Sequence, residues 1–511
     1  MFDYASRVPA GTLLAVVFSF AVAGCAVNPK QFTQTELVNL SNADREAIVA
    51  SSAPPAGPLS LDEAIARALK YNLDRRVKLM EEALAFDQTQ VDRFDILPKA
   101  VANSAYLSRS NRGASSSTDY VTGKPSLANP SYSQDLHRIT RDLTLSWSIL
   151  DLGVSWYNAH QNANRVLIAR ERRRKAVLSI IADVRSSYWR AMGAQVLKDR
   201  LRTTIREGEV ALKDARLTET ERLKSPLDSL RFQKTILENL RQLRVVEQEL
   251  ATARAELAAL INVLPSVNFS LRGATAASRA MQVPAWNVPV ERLEEAALLA
   301  NPDALDNAYQ ARIAADETRK AIARMIPGIS FDISPKKYDS NSFLVAHTWQ
   351  EASIRLGGNL VTTLLSAPAQ ISYSKANEQV VNARRLAVRM ALIAQVHVAT
   401  QQIRSSRDLF INASQLFEVD RKIANTMAVR QANDAQSIAE SVANRTVALT
   451  SEMRVFTTYA QMQAALGRIQ ASLGVNFVTD DEVVELDIDA LKALIQERRR
   501  LLDGGVIADK A

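Results

Sequence analysis

Hydrophobic and polar positions along this chain fall into three kinds of stretch, and the order of those stretches occurs twice. Residues 61–98 carry apolar positions at helical spacing, with Ser60 as N-cap, Glu63 in the capping-box position and Pro98 as a stop. This predicts helices over 61–69 and 74–96. The period then drops to two: Val101, Ala105 and Leu107 alternate with Ala102, Ser104, Tyr106 and Ser108, and after a polar segment Leu143, Leu145, Trp147 and Ile149 alternate with Thr144, Ser146 and Ser148. Helical spacing returns over about 156–217, breaks around Lys224-Ser225-Pro226, and runs back to Asn262. Residues 290–327 lie on 61–98 without a gap, pairing Ala297 with Ala68, Asn301 with Asn72, Asp303 with Asp74 and Pro327 with Pro98. The alternating stretches follow again, Ile329, Phe331 and Ile333 against Ser330, Asp332 and Ser334, then Ala352, Ile354 and Leu356 against Ser353, Arg355 and Gly357. Long helices are predicted after them over about 369–430 and 435–473.

Strands with one greasy and one hydroxylated face suit a sheet between lipid and water. A hairpin packed on a soluble core has the same pattern, but no further strand-forming segments surround these, and the following helices offer no globular core. Residues 111–134, rich in Ser, Gly and Asn, suit a loop at the outer surface, and about 335–348 form a shorter one. Four strands of about nine or ten residues can cross an outer membrane when tilted. Alone they cannot close, because two open edges would leave backbone groups unpaired in lipid at several kcal/mol each. Spanning therefore requires oligomers, and three copies would supply a barrel of twelve strands.

About sixty residues of helix make a rod of about 90 Å. Its outgoing seam reads Val177, Ile181, Val184, Tyr188 and Ala191, and the return seam Leu243, Val246, Leu250, Ala253, Leu257 and Leu260. Both have coiled-coil spacing. Asn262 and Gly474 hold matching positions after the return helices, where a left-handed residue ends a helix. Glycine and proline are scarce at 16 each, and aromatics make up 6%, which supports long helices over a doubly wound sheet. The charge of +8 is spread among alternating Asp and Glu along helix faces, a pattern unlike a nucleic-acid surface.

Residues 1–24 have the form of a signal peptide: Arg7 in a polar head, then an apolar run over 13–23 too short for a retained span. Val22-Ala23-Gly24-Cys25 resembles a bacterial lipobox, which makes Cys25, the sole cysteine, the expected lipidation site. Ordinary cleavage beside a chance cysteine is the other reading. Ala26 next to it favours the outer membrane by the same resemblance. Residues 25–58 then read as an extended, lipidated tether.

Chemistry for catalysis is missing. His137, His160, His347 and His397 are scattered without metal-ligand spacing, no glycine loop suits a phosphate, and there is no nucleophile elbow. No enzyme, cofactor or metal site is expected. Two charged groups stand out. Arg170, Arg172, Arg173, Arg174 and Lys175 read either as a cationic collar below the strands or as a solvated helix face. Arg430, Asn433 and Asp434 sit at the second hairpin tip, where threefold repetition would focus charge at a constriction.

The segment 59–65, Ile96-Leu97-Pro98, the run from Leu145 to Gly153 and the two helix-ending segments, in doubled order, resemble the outer membrane factor family, the TolC-like efflux and secretion channels. The likeness covers about 59–475. It implies a mainly α fold with a small membrane β-barrel contribution, built from two repeats of helix, β-hairpin and long helical hairpin. The strands of a homotrimer would form a shared 12-stranded barrel continuing into a periplasmic α-helical barrel. Such a subunit would sit in outer-membrane lipid and dock on a periplasmic adaptor (membrane fusion) protein and an inner-membrane transporter, passing cargo without a chemical step. It places the gate on the second hairpin, hence Arg430, Asn433 and Asp434, and makes Leu143, Leu145, Trp147 and Ile149 lipid-facing. Two departures are evident: the tips, 215–220 and 429–434, lack the family's glycine-containing turn, and 364–368 replace the Asp151-Leu152-Gly153 junction.

The expected organisation is a first repeat over 59–273 (strands about 99–110 and 138–151, hairpin 153–264), a linker 274–289, a second repeat over 290–476 (strands about 328–335 and 349–361, hairpin 366–475) and a tail 477–511. The rival from another class is a lipid-anchored periplasmic coiled-coil protein, structural or adaptor-like. It accounts for the lipobox and the helices but not for four paired segments with one apolar face.

Overall fold

A computed structural model describes residues 30–51, 54–125, 130–221, 225–273, 281–284, 286–325, 328–357, 360–432, 438–476 and 478–505. They form two compact units, divided after residue 53. In the first, residues expected as extended tether are instead a helix, α1 (Gln34–Ser51). Thr33 and Glu36 explain its start: Glu36 N donates to Thr33 Oγ1 (3.3 Å) and Thr33 N to Glu36 Oε2 (2.8 Å), a capping box. No proline or glycine interrupts 30–53. None of the helix is buried.

In the second unit Ser60 accepts from Glu63 N (3.2 Å) and opens α2 (Leu61–Tyr71). Asn72 ends α2 and caps α3 (Leu73–Phe94). The chain continues through β1 (Lys99–Ser108), a small loop ladder of β2 (Ala114–Ser115) with β3 (Ser131–Tyr132), and β4 (His137–Ser148). Next come α4 (Ile149–Thr220) and α5 (Pro226–Leu260). The order repeats as α6 (Val290–Ala300), α7 (Pro302–Ala323), β5 (Gly328–Asp339), β6 (Thr348–Gly357), α8 (Leu360–Ala432) and α9 (Ile438–Leu473). Helices α2 and α6 both have 11 residues and α3 and α7 both 22, so no insertion separates the copies.

Several boundaries differ from the sequence reading, each for a local reason. Strand β4 ends at Ser148, whose hydroxyl accepts from Asp151 N (3.2 Å). Residues 149–151 are therefore the first turn of α4, and the hairpin starts four residues earlier than expected. Strand β5 continues past 335 to Asp339 because a bulge absorbs Pro335. Strand β6 stops at Gly357 rather than 361. Residues 215–220, read as a tip turn, are the last turns of α4, whereas α5 does begin at Pro226, where the sequence placed the break.

At 72 and 73 residues, α4 and α8 each extend about 110 Å. Helix α4 packs on α5 and α9, and α8 packs on α9. The main core lies where α2 meets these helices, around Ile65, Leu69, Val184, Tyr188, Leu257 and Phe456. Tyr188 donates to the carbonyl of Leu59 (3.1 Å), and burial pushes its phenol pKa up. The tail is part of this core: α10 (Asp480–Glu485) and α11 (Ile488–Asp503) follow α9, and Leu491 and Ile495 are fully buried. Asn262 (φ 52°) and Gly474 (φ 66°) both adopt the left-handed conformation after α5 and α9.

Candidate functional site

The four long strands make one antiparallel sheet in the order β1-β4-β5-β6, leaving β1 and β6 as edges. Directly opposed residues share a face. Leu145 opposes Ile333, Trp147 opposes Phe331, Phe331 opposes Ile354 and Ile329 opposes Leu356, so the apolar residues of three strands form one continuous surface. It is open: Ile354 and Leu356 are each 73% exposed. Leu143, Leu145 and Trp147 lie on it, whereas Ile149 is exposed at the start of α4 rather than in a strand.

The other face is polar. Ser146 opposes Asp332, which opposes Ser353, and Arg355 donates from Nε to Asp332 Oδ2 (2.8 Å). Asn103 and Thr144 both donate to Asp142 (3.1 Å each). Strand β1 departs from its sequence assignment. Ala102 opposes Leu143 and Val101 opposes Thr144, so Val101, Ala105 and Leu107 lie with the polar residues, and Ala102, Ser104 and Tyr106 with the apolar ones. Both sets contain alanine, so alternation there carries little face information.

The two loop regions interlock at the end of the sheet remote from the helices. Asp135 accepts from Ser342 N (2.5 Å) and Oγ (2.8 Å), Asn341 donates to Ser133 O (3.0 Å), and the Tyr132 and Phe343 rings meet edge to face at 5.5 Å. These bonds hold the Asp135 carboxyl below its usual range.

At the other end, the helices of the two copies approach closely. A Cβ added at Gly467 in α9 would lie 2.7 Å from the Cα and Cβ of Ala182 in α4. Arg430 is exposed in the last turn of α8. Asn433, Asp434 and Cys25 lie outside the described residues.

The basic run in α4 is exposed at Arg170, Arg172 and Lys175, yet most of it is paired. Arg172 pairs with Asp306 (3.0 Å), Arg173 with Glu82 (2.6 Å) and with Asp480, and Lys175 with Asp303 (2.9 Å). Arg174 pairs with Glu171 (2.7 Å) and donates to the carbonyls of Gly474 (2.9 Å) and Ala300. Burial pushes the Arg174 pKa down and the Glu171 pKa up. Three of the five cations thus tie α4 to α3, α7 and α10, Arg174 reaches the carbonyls at the ends of α6 and α9, and Arg170 is exposed without a described partner of this kind. The partners come from distant sequence, which is why the run alone did not reveal them.

Sequence reasoning also missed Arg185. Its side chain is fully buried in α4, donating to Gln463 (2.7 Å) and Gln470 (3.1 Å) of α9 and to both carboxylate oxygens of Asp503 in α11 (2.9 and 3.1 Å). Among the described residues no group of three or more His, Cys, Asp or Glu is placed to hold a metal ion. No described helix is long and apolar enough to cross a membrane.

A sheet with one open apolar face, continuing directly into helices of about 110 Å, is the fold of the TolC-like outer-membrane channels. Solved structures bear this out. The outer-membrane channel OprN is 15% identical with a TM-score of 0.61 over 81% of this chain and 89% of its own. The CmeC outer membrane channel of Campylobacter jejuni is 12% identical with a TM-score of 0.60 over 86% and 89%. The MtrE outer membrane channel of Neisseria gonorrhoeae, in its open state, is 16% identical with a TM-score of 0.56 over 81% and 88%. At such identities the likeness is one of fold. No protein-family profile matches the chain, and no curated protein matches it.

Proposed function

We propose that this chain is the outer-membrane channel subunit of a tripartite efflux or secretion system. In this reading it conducts cargo passively from a periplasmic adaptor and inner-membrane pump to the cell exterior. The observation that carries the proposal is the sheet: two unpaired edges, one open apolar face and one charged face. In lipid, unpaired edge groups cost several kcal/mol each, so β6 of one copy pairs with β1 of the next, and three copies complete twelve strands. Exposed apolar side chains on the helices support lateral packing of copies, including Leu84 and Phe94 on α3 and Val380 and Met390 on α8. The periplasmic coiled-coil alternative leaves the apolar sheet face without a partner.

In the same reading Cys25 carries the lipid anchor, the charged sheet face lines the lumen, and Arg430, Asn433 and Asp434 form the gate at the narrow end. An Asp434→Ala variant then raises leak conductance in planar bilayers; an unchanged closed state removes Asp434 from the gate. The spanning itself is tested by placing a cysteine at Ser116, in the first loop, and treating intact cells with a membrane-impermeant thiol reagent. Labelling from outside is expected. Labelling only after the outer membrane is broken would overturn the channel reading in favour of the periplasmic one.

A further inference from the structure

Charges on the sheet are sorted by face in a way that alternation alone does not produce. All four carboxylates in the long strands, Asp142, Asp332, Asp339 and Glu351, lie on the polar face. There Arg138 pairs with Asp339 (3.5 Å), Lys337 with Glu351 (2.8 Å) and Arg355 with Asp332. Two cations lie on the opposite, apolar face with no carboxylate on that face beside them: Arg141 and Lys336. Both are exposed.

The bulge puts Lys336 there. Below it, odd-numbered residues of β5 share the face of Leu145, as the pairing of Ile333 shows; above it, Lys336 opposes Leu143 and Tyr338 opposes Arg141. One extra residue at Pro335 therefore transfers an even-numbered lysine to the apolar face. Arg141 and Lys336 become diagonal neighbours on adjacent strands, about 7 Å apart between Cβ atoms. They lie toward the loop end of the sheet, Lys336 level with Leu143 and Arg141 one step beyond it, past Leu145 and Trp147. Tyr338 opposes Arg141, and Tyr106 shares the face one strand away on β1. Both cations are on the central strands β4 and β5, away from the edges at which another copy would pair.

We propose that Arg141 and Lys336 form a binding site for the phosphate of a phosphorylated lipid in the outer leaflet. The inference rests on the channel reading above, in which the apolar face meets lipid and the loop end is outermost. Two adjacent cations at the top of an apolar band meet a phosphate at headgroup depth while its acyl chains lie along Leu143 and Leu145. Tyrosines at this level are the expected interfacial partners.

The test uses the full chain, purified in detergent and mixed with a bisphosphorylated glucosamine-disaccharide lipid or its dephosphorylated form, with retained lipid counted by native mass spectrometry. The wild type retains the phosphorylated lipid in preference. An Arg141→Gln, Lys336→Gln pair weakens retention about fivefold for each cation, about thirtyfold together. The charge-keeping pair Arg141→Lys, Lys336→Arg retains the lipid, as does Lys337→Gln on the other face. Equal retention of the two lipids, equal loss in Lys337→Gln, loss in the charge-keeping pair, or full displacement by excess inorganic phosphate would each overturn the site. Outside labelling at Ser116 in the same variants separates the two ideas: its absence defeats the channel reading, whereas labelled protein with no lipid preference defeats only this site.

Discussion

Asn301 does for the second copy what Asn72 does for the first. Each is the single residue between two helices, and its side chain makes the same pair of connections. Asn72 accepts from Arg75 N (3.0 Å) and donates to Leu260 O (3.1 Å), at the end of α5. Asn301 accepts from Asp303 N (2.8 Å) and donates to Ser472 O (2.8 Å), at the end of α9. The joint fixes where each return helix ends against the helix that leads to the sheet. Because Asn301 is buried, Asn301→Ala removes a cap worth about 1 kcal/mol and leaves a carbonyl unpaired at about 1–3 kcal/mol. Asn301→Ser keeps a capping oxygen but cannot reach Ser472. Its unfolding midpoint in denaturant is expected between those of the wild type and the alanine variant; coincidence of serine with alanine would remove the cap from this account.

Gly467 sets the distance between the two helical hairpins. Any side chain there must displace the backbone of Ala182, and overpacking of this kind costs about 1–3 kcal/mol. Gly467→Ala is therefore destabilising even though alanine is the better helix former by about 1 kcal/mol. Adding Ala182→Gly in the same chain is expected to recover part of the loss, because it clears the opposing Cβ. A double-mutant cycle on unfolding midpoints checks this: additive effects would mean that the two positions are not in contact.

Asp503 neutralises a charge that the interior cannot solvate. With Arg185 fully buried, Asp503→Ala leaves its guanidinium with only neutral Gln463 and Gln470 as partners, an expected cost of about 3–5 kcal/mol. Replacing the cation itself by Arg185→Met removes the need for compensation and is expected to cost less. Thermal unfolding of the two variants gives the order directly. A milder effect from Asp503→Ala than from Arg185→Met would show that the ion pair is dispensable and that the arginine acts by packing.

The repeat, the strand pair in each copy and the long helices were legible because each rests on a periodicity or stop signal within a short window: Ser60 with Glu63, Pro98, the Leu143 to Trp147 alternation. The left-handed residues Asn262 and Gly474 were legible for the same reason. What could not be read depended on partners far away in sequence. The ion pairs of the basic run at Arg172 to Lys175 could not be read because Glu82, Asp303, Asp306 and Asp480 are brought to it only by folding. The face of β1 was misread because alanine occupies both sides. The bulge had a visible signal, Pro335 inside an otherwise alternating run, and its consequence for Lys336 follows only once the register is known.

The tail supplies a pH-dependent contact. Glu482 in α10 accepts from Arg498 Nη1 (2.7 Å) and Nη2 (2.6 Å) in α11, and from Thr479 N (2.7 Å). With the Arg498 bonds as the largest cause, its pKa is held down from 4.5 to about 2. A carboxyl whose folded value lies below its unfolded one binds fewer protons when folded, so its contribution is fully present above about pH 4.5. That contribution is lost progressively as pH falls toward 2. The pair is partly open to solvent, so added salt should weaken the effect. Glu482→Gln cannot titrate. The gap in unfolding midpoint between the wild type and this variant is therefore expected to be constant above pH 4.5 and to narrow steadily below it. A gap that stays unchanged down to pH 2 would mean that the α10 to α11 contact holds equally well with a neutral side chain and that the charge is incidental to it.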